Sequence, residues 1–229
     1  MTMVLTVGHS TRSLQELVEL LRENGVLTLF DVRRYPASRR HPHFNRDALQ
    51  SSLPASGIGY VWLPDLGGRR TPRKDSHNTA WRNAGFRDYA DYMETAAFQL
   101  ATADLLQQAD ERPSAIMCAE QAWQQCHRGL IADFIKARGG EVVHILGRGR
   151  TQPHPWTAAA HIVEGRLSYA AQQPPRQNEL ELSCASRQHP RWLITLRPSA
   201  LPSPELWLLL CVPLAGGLAC ESSLRACSR

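Results

Sequence analysis

The sequence is short of lysine. Lys74 and Lys136 are the only two in a chain of 229 residues, so nearly all the positive charge behind its formal net of +5 is arginine. The sequence pI near 9.1 is basic without being extreme. Arginine spread over a surface needs no function. Clustered arginine does, because guanidinium grips phosphate and carboxylate bidentately. No uncharged apolar run reaches membrane-spanning length. The best candidate, LWLLLCVPLAGGLAC from Leu206 to Cys220, is short and broken by Pro213 and a glycine pair. The opening MTMVLTVGHS lacks the charged segment and long apolar stretch of a secretory signal. A soluble, cytoplasmic protein without a membrane partner is the expectation. In that reducing compartment its six cysteines read as thiols or ligands, not disulfides. A Walker loop and a Gly-x-Gly-x-x-Gly turn are also missing, which argues against a standard NTPase or dinucleotide enzyme.

What is present suits a single core, since 43% of the residues are hydrophobic. VLTVGH (Val4 to His9) reads as a buried strand. SLQELVELLREN follows with apolar residues at Leu14, Leu17, Val18 and Leu21, a helical spacing. Ser13 and Glu16 form a capping box, and Gly25 is the stop. VLTLFDVR (Val26 to Arg33) is a second strand, followed by a Pro- and Arg-rich loop and a helix around Arg46 to Leu53. YVWLPDL is a third strand. The polar loop from Gly67 to Ala84 has the length of a functional loop. One long helix is predicted from Phe86 to Gln108, then the strand SAIMCAE, the helix CHRGLIADFIKARG and the strand EVVHILG. HPWTAAAHIVEGRLSYAA reads as one short helix. The result is a three-layer α/β/α, Rossmann-like open sheet, mainly parallel, of about five strands. Residues 171–229 read as an irregular C-terminal tail, not a second domain.

Ligands of such sheets bind beyond the carboxyl ends of the strands. In this sequence the reactive groups gather there. The first strand ends at His9-Ser10 and the second at Asp31-Val32-Arg33, with Arg34, Ser38, Arg39, Arg40 and His41 beyond. The third is followed by Gly67-Gly68, Arg69, Arg70, Arg73 and Lys74. The fourth ends at Cys118-Ala119-Glu120 and runs into Cys126-His127-Arg128. If the sheet reverses direction after the third strand, the first and fourth become neighbours, and His9 and Ser10 face Cys118 and Glu120.

Each group has a plain structural alternative. A cysteine at a strand end is by default a small buried hydrophobe. Glu120 is either a general acid or base or the partner of Arg33 or Arg128. Cys126 and His127, in the first turn of a helix, lie where exposed N–H groups favour a thiolate and anions. His127 also shares a face with Leu130 and Ile131, as a core histidine would. Trp62, Trp81 and Trp123 serve either as base-stacking platforms or as core. Neither cysteine is followed by the arginine that closes a phosphatase or rhodanese-like cradle. The CAE triplet matches half of a zinc deaminase pattern whose second half is absent. Adjacent Cys126 and His127 are awkward joint ligands, so no metal set is assigned.

The stretches TVGHSTRSLQELVELL, LFDVRRYPASRR, GIGYVWLPDLGGRR, WRNAGFRDYADYM and CAEQAWQQCHRGLIADFI resemble a bacterial and archaeal family labelled domain of unknown function 488. The resemblance runs from about Val4 to Gly147, with HPWTAAAHIVEGRLSY similar to a common extension of that family. It implies a three-layer α/β domain and no particular reaction. The expected function is an enzyme acting on a phosphate-bearing substrate, a nucleotide or nucleic acid. Cys118, Glu120, Cys126, His127 and His9 are its candidate catalytic residues. Ser10, Asp31, Arg33, Ser38, Arg39 and Arg128 are its candidate anion-binding residues. The alternative is a non-catalytic module binding the same anions. Cofactor and oligomeric state have no signal in the sequence.

Overall fold

A computed structural model describes residues 2–171. The expected tail lies, from residue 172 onward, outside the described residues. The strands are β1 (Met3–Gly8), β2 (Thr28–Asp31), β3 (Gly59–Trp62), β4 (Ser114–Cys118), β5 (Glu141–Gly147) and β6 (Arg150–Pro153). They form one sheet in the order β3-β2-β4-β1-β5-β6. All pairs are parallel except β5 with β6. The helices are α1 (Leu14–Glu23), α2 (Arg46–Ala55), α3 (Ala84–Met93), α4 (Ala96–Glu111) and α5 (Arg128–Ala137).

The period of two along each strand divides the core into two layers. Leu5, Val7, Leu29, Ala115 and Met117 pack with Leu17 and Leu21 of α1 and Leu49 and Leu53 of α2. Val4, Phe30, Ile116 and Cys118, on the alternate positions, pack with Tyr89 of α3, Phe98 and Leu105 of α4, and Leu130 and Ile131 of α5. The expected three-layer α/β/α architecture is therefore present. The capping box is formed too: Glu16 N–H donates to Ser13 Oγ, and Ser13 N–H donates to the Glu16 carboxylate. Gly25, at φ 68°, ends α1 in the left-handed conformation.

Three expectations need correction. The long helix is two, because Thr95 interrupts it and caps α4 with its hydroxyl accepting from Phe98 N–H. The short helix predicted near His161 is instead a hairpin, β7 (His161–Val163) with β8 (Arg166–Ser168). Its turn is Glu164-Gly165, both at positive φ, a two-residue turn that favours strand pairing over helix. The sheet has a further, antiparallel edge strand, β6. It follows β5 through Gly149 at φ 59°, and its exposed residues carry little apolar signal.

Candidate functional site

The parallel register sets Gly8 of β1 beside Cys118 of β4. Pairing continues past both strands: His9 N–H donates to the Cys118 carbonyl at 3.0 Å and Ser10 N–H to the Ala119 carbonyl at 2.9 Å. The neighbouring of β1 and β4 is as expected. Glycine lets the loops close in. A Cβ on Gly8 would stand 2.0 Å from the Glu120 carbonyl oxygen, and one on Gly67 would stand 2.7 Å from the Arg34 backbone. No side chain fits at either point.

Cys118, Cys126 and His127 meet on the floor of the resulting pocket. Cys126 and His127 precede α5 instead of lying within it; His127 is its N-cap, and its carbonyl accepts from Leu130 and Ile131 N–H. The imidazole Nε2 is 3.0 Å from the Val32 carbonyl oxygen. A carbonyl only accepts, so Nε2 carries a proton, and in the neutral ring Nδ1 is the lone-pair nitrogen. Nδ1 lies 3.6 Å from Cys126 Sγ and 3.8 Å from Cys118 Sγ. A Cβ on Gly68 would come within 3.1 Å of Nδ1, so glycine keeps that side open. Burial pushes the Cys126 thiol up. The Cys118 hydrogen bond, the charged form of His127 and Arg128 outweigh it and hold the thiol well below its ordinary value. Cys118 moves the other way, raised by its hydrogen bond to Cys126, by burial and by negative charge on Cys126. The two sulfurs thus titrate as a pair, giving up one proton readily and the second with difficulty.

Asp31 and Arg33 form a buried bidentate pair, with Nε to Oδ1 at 2.8 Å and Nη2 to Oδ2 at 2.5 Å. Tyr60 also donates to Asp31, at 2.8 Å, and Arg33 donates to the Phe44 carbonyl at 2.8 Å. His9 stacks on Phe44 and offers Nε2 to Arg33 Nη1 at 3.2 Å. Burial first and the Arg33 charge second lower its pKa to about 4. His9 is therefore a neutral brace for Arg33, 4% exposed, and stands apart from the pocket lining.

Arg128 is 1% exposed and does not reach the pocket as an anion ligand. It donates to the Glu120 carbonyl at 2.6 Å, the Gln121 carbonyl at 3.2 Å and Thr6 Oγ1 at 3.4 Å, so it pins the loop after β4. Behind it runs a buried chain: Thr6 Oγ1 to His144 Nδ1 at 2.6 Å, His144 Nε2 to His154 Nδ1 at 2.8 Å, His154 Nε2 to Asp133 at 3.0 Å. Arginine can only donate and carboxylate only accept. One arrangement that satisfies every contact has Thr6 donating to His144, His144 to His154 and His154 to Asp133. Burial, His154 and Arg128 lower the His144 pKa to about 3.

Of the predicted residues, Arg33, Cys118, Glu120, Cys126 and His127 share one pocket of about 540 Å³. Glu120 is exposed at its mouth, and its carboxylate makes no ion pair among the described residues, so neither Arg33 nor Arg128 is its partner. Ser10, Asp31, Ser38 and Arg39 lie outside that lining. Ser38 braces its own loop, accepting from His41 N–H at 3.0 Å, while Arg39 is exposed. Arg34 and Arg69, read from the sequence only as members of basic loops, line that pocket. Trp123 is buried and stacked on His144, Trp81 packs on Phe86 and Tyr169, and Trp62 lies under Arg46. A slightly larger cavity of about 570 Å³, by Phe134, Leu167 and Tyr169, holds none of the predicted residues and no cysteine.

Among the described residues no helix is long and apolar enough to cross a membrane. No curated protein and no solved structure matches the chain. The family model for "Domain of unknown function DUF488" matches residues 13–135, from the cap of α1 through the cysteine–histidine loop and into α5, and the chain belongs to that family.

Proposed function

We propose that the protein is an enzyme acting on a phosphate-bearing substrate, a nucleotide or nucleic acid, held over the Cys118–Cys126–His127 cluster. The observation that supports it is the meeting of that cluster with three arginines, Arg33, Arg34 and Arg69, and Glu120 in one pocket. The arginines divide the work. Arg33 is engaged by Asp31, whereas Arg34 and Arg69 make no ion pair among the described residues and are available for phosphate. The cluster supplies a sulfur or a bound ion as the reacting centre, and Glu120 exchanges protons at the mouth.

The test measures binding of mononucleotides and short oligonucleotides, and product release, in the wild type and in variants. Arg34→Ala and Arg69→Ala should each weaken affinity roughly tenfold or more, the scale of one charge-assisted hydrogen bond. Cys118→Ala and His127→Ala should abolish turnover and leave affinity in place. Affinity indifferent to both arginines sinks the reading. A specific observation favours a second reading, a non-catalytic binding module. Arg34 also lines two flanking cavities, one beside Trp62 and one beside Arg70 and Arg73, so the basic lining extends well past the cluster. That reading expects arginine-dependent affinity, no turnover, and no effect of the cysteines.

A further inference from the structure

We infer that Cys118, Cys126 and His127 form a three-ligand site for a borderline-soft divalent cation of the zinc class, with its fourth position open to the pocket. The presence of the site stands independently; its role as reacting centre rests on the function proposed above.

The first support is distance. The two sulfurs and Nδ1 all lie within 4.8 Å of one another. Nδ1 is 3.6 Å from one sulfur and 3.8 Å from the other. Zinc holds sulfur at about 2.3 Å and imidazole nitrogen at about 2.0 Å, and tetrahedral angles then place those donors roughly 3.6 Å apart. The two nitrogen–sulfur separations therefore match edges of a tetrahedron with the three donors at its corners. The adjacency of Cys126 and His127, awkward on paper, is harmless because the chain turns between them into α5.

The second support is the far side of the ring. Metal-bound histidines commonly donate their other N–H to a fixed acceptor, which sets the tautomer and the ring plane. The Val32 carbonyl at 3.0 Å from Nε2 plays that part. The third is space: at Gly68 even one methyl group would come within 3.1 Å of Nδ1. Charge also balances. Two thiolates neutralise a divalent cation, Arg33 is neutralised by Asp31, and Arg128 is enclosed by carbonyls. Two sulfurs and one nitrogen with an open fourth position is the donor set of a catalytic zinc, which polarises a substrate oxygen or a bound water. A phosphate held by Arg34 and Arg69 would be presented to that position.

The experiment uses the full chain, stripped with a chelator and then titrated with Zn²⁺ or Co²⁺ alone. Stoichiometric binding is expected, with the sulfur-to-cobalt charge transfer and strong visible bands of a four-coordinate thiolate site. Cys118→Ser and Cys126→Ser should each weaken the affinity more than about tenfold, since even outer contacts of a metal ligand are felt on that scale. The wild type supplies a check free of folding defects: Zn²⁺ should protect Cys118 and Cys126 from alkylation, mapped by mass spectrometry. Weak octahedral cobalt bands, or alkylation of Cys118 and Cys126 unchanged by zinc, would overturn the inference. Arg34→Ala and Arg69→Ala should keep the metal and lose nucleotide. Metal failure with intact nucleotide binding removes this inference alone; the converse removes the proposed function alone.

Discussion

Two polar clusters flank the start of α5, and they are built on opposite principles. In the chain from Asp133 to Arg128, each contact pairs a donor with an acceptor, and Arg128 Nε is the one buried polar atom of that chain left without a partner among the described residues. Asp133 alone accepts from His154, from Thr157 N–H and Oγ1, and from Tyr169. In the cluster of Cys118, Cys126 and His127, two sulfurs and a lone pair face one another at contact distance beside an open pocket. Both contain histidine and both are largely buried. Satisfied polar groups make a rigid support, and groups with unused capacity make a reactive site. Arg128 joins the two, holding the Glu120 and Gln121 carbonyls with the same guanidinium that ends the chain.

Removing the carboxylate should break the comparison most severely. Asp133→Ala strands the donors of His154, Thr157 and Tyr169 in the interior, and a loss of about 3–5 kcal/mol in denaturant-measured stability is expected. Cys126→Ser in the metal-free protein should cost under about 1.5 kcal/mol, because the serine hydroxyl keeps an acceptor for the Arg128 backbone N–H, which Cys126 Sγ accepts at 3.5 Å. Equal losses would mean that the two clusters do not differ in kind.

A smaller effect is expected at Gly8. Gly8→Ala forces a methyl group against the Glu120 carbonyl, 2.0 Å from an ideal Cβ. The expected cost is about 1–3 kcal/mol, with a change in the alkylation rate of Cys118 as its loop shifts. An unchanged rate would show that the loop does not set the cluster.

A further effect is gradual, a pH slope. The folded pKa of His144, about 3, and of His9, about 4, lie below their ordinary value of 6.5. The unfolded chain therefore binds protons first as pH falls. Stability should be level above about pH 6.5 and decline from there down to about pH 3–4, by at most about 1.4 kcal/mol per pH unit for each histidine. Thermal unfolding across that window, compared with His144→Gln, should show a shallower slope in the variant. Identical slopes would remove His144 from the account.

Local pattern determined a good part of this protein. Period-two alternation in Val4 to Val7 and Leu29 to Phe30 divides the two core layers, and Ser13, Glu16 and Gly25 delimit α1 by hydrogen bonding and backbone freedom within a few residues. Short-range contacts of that kind are legible because their partners are adjacent in the chain. The placement of Cys118, Glu120, Cys126 and His127 beyond β4 was legible for the same reason. The strand order was only conditional, and three further matters were settled by tertiary structure alone. Arg128, one residue from His127, faces inward to Thr6 and the Glu120 carbonyl, while Arg34 and Arg69 from distant loops turn to the pocket. His9 braces Arg33. The Asp133–His154–His144 chain joins residues that no spacing rule relates. Direction of a side chain and identity of a distant partner depend on how elements pack, and a one-dimensional pattern holds no information on either until the sheet order brings β1, β4 and β5 together.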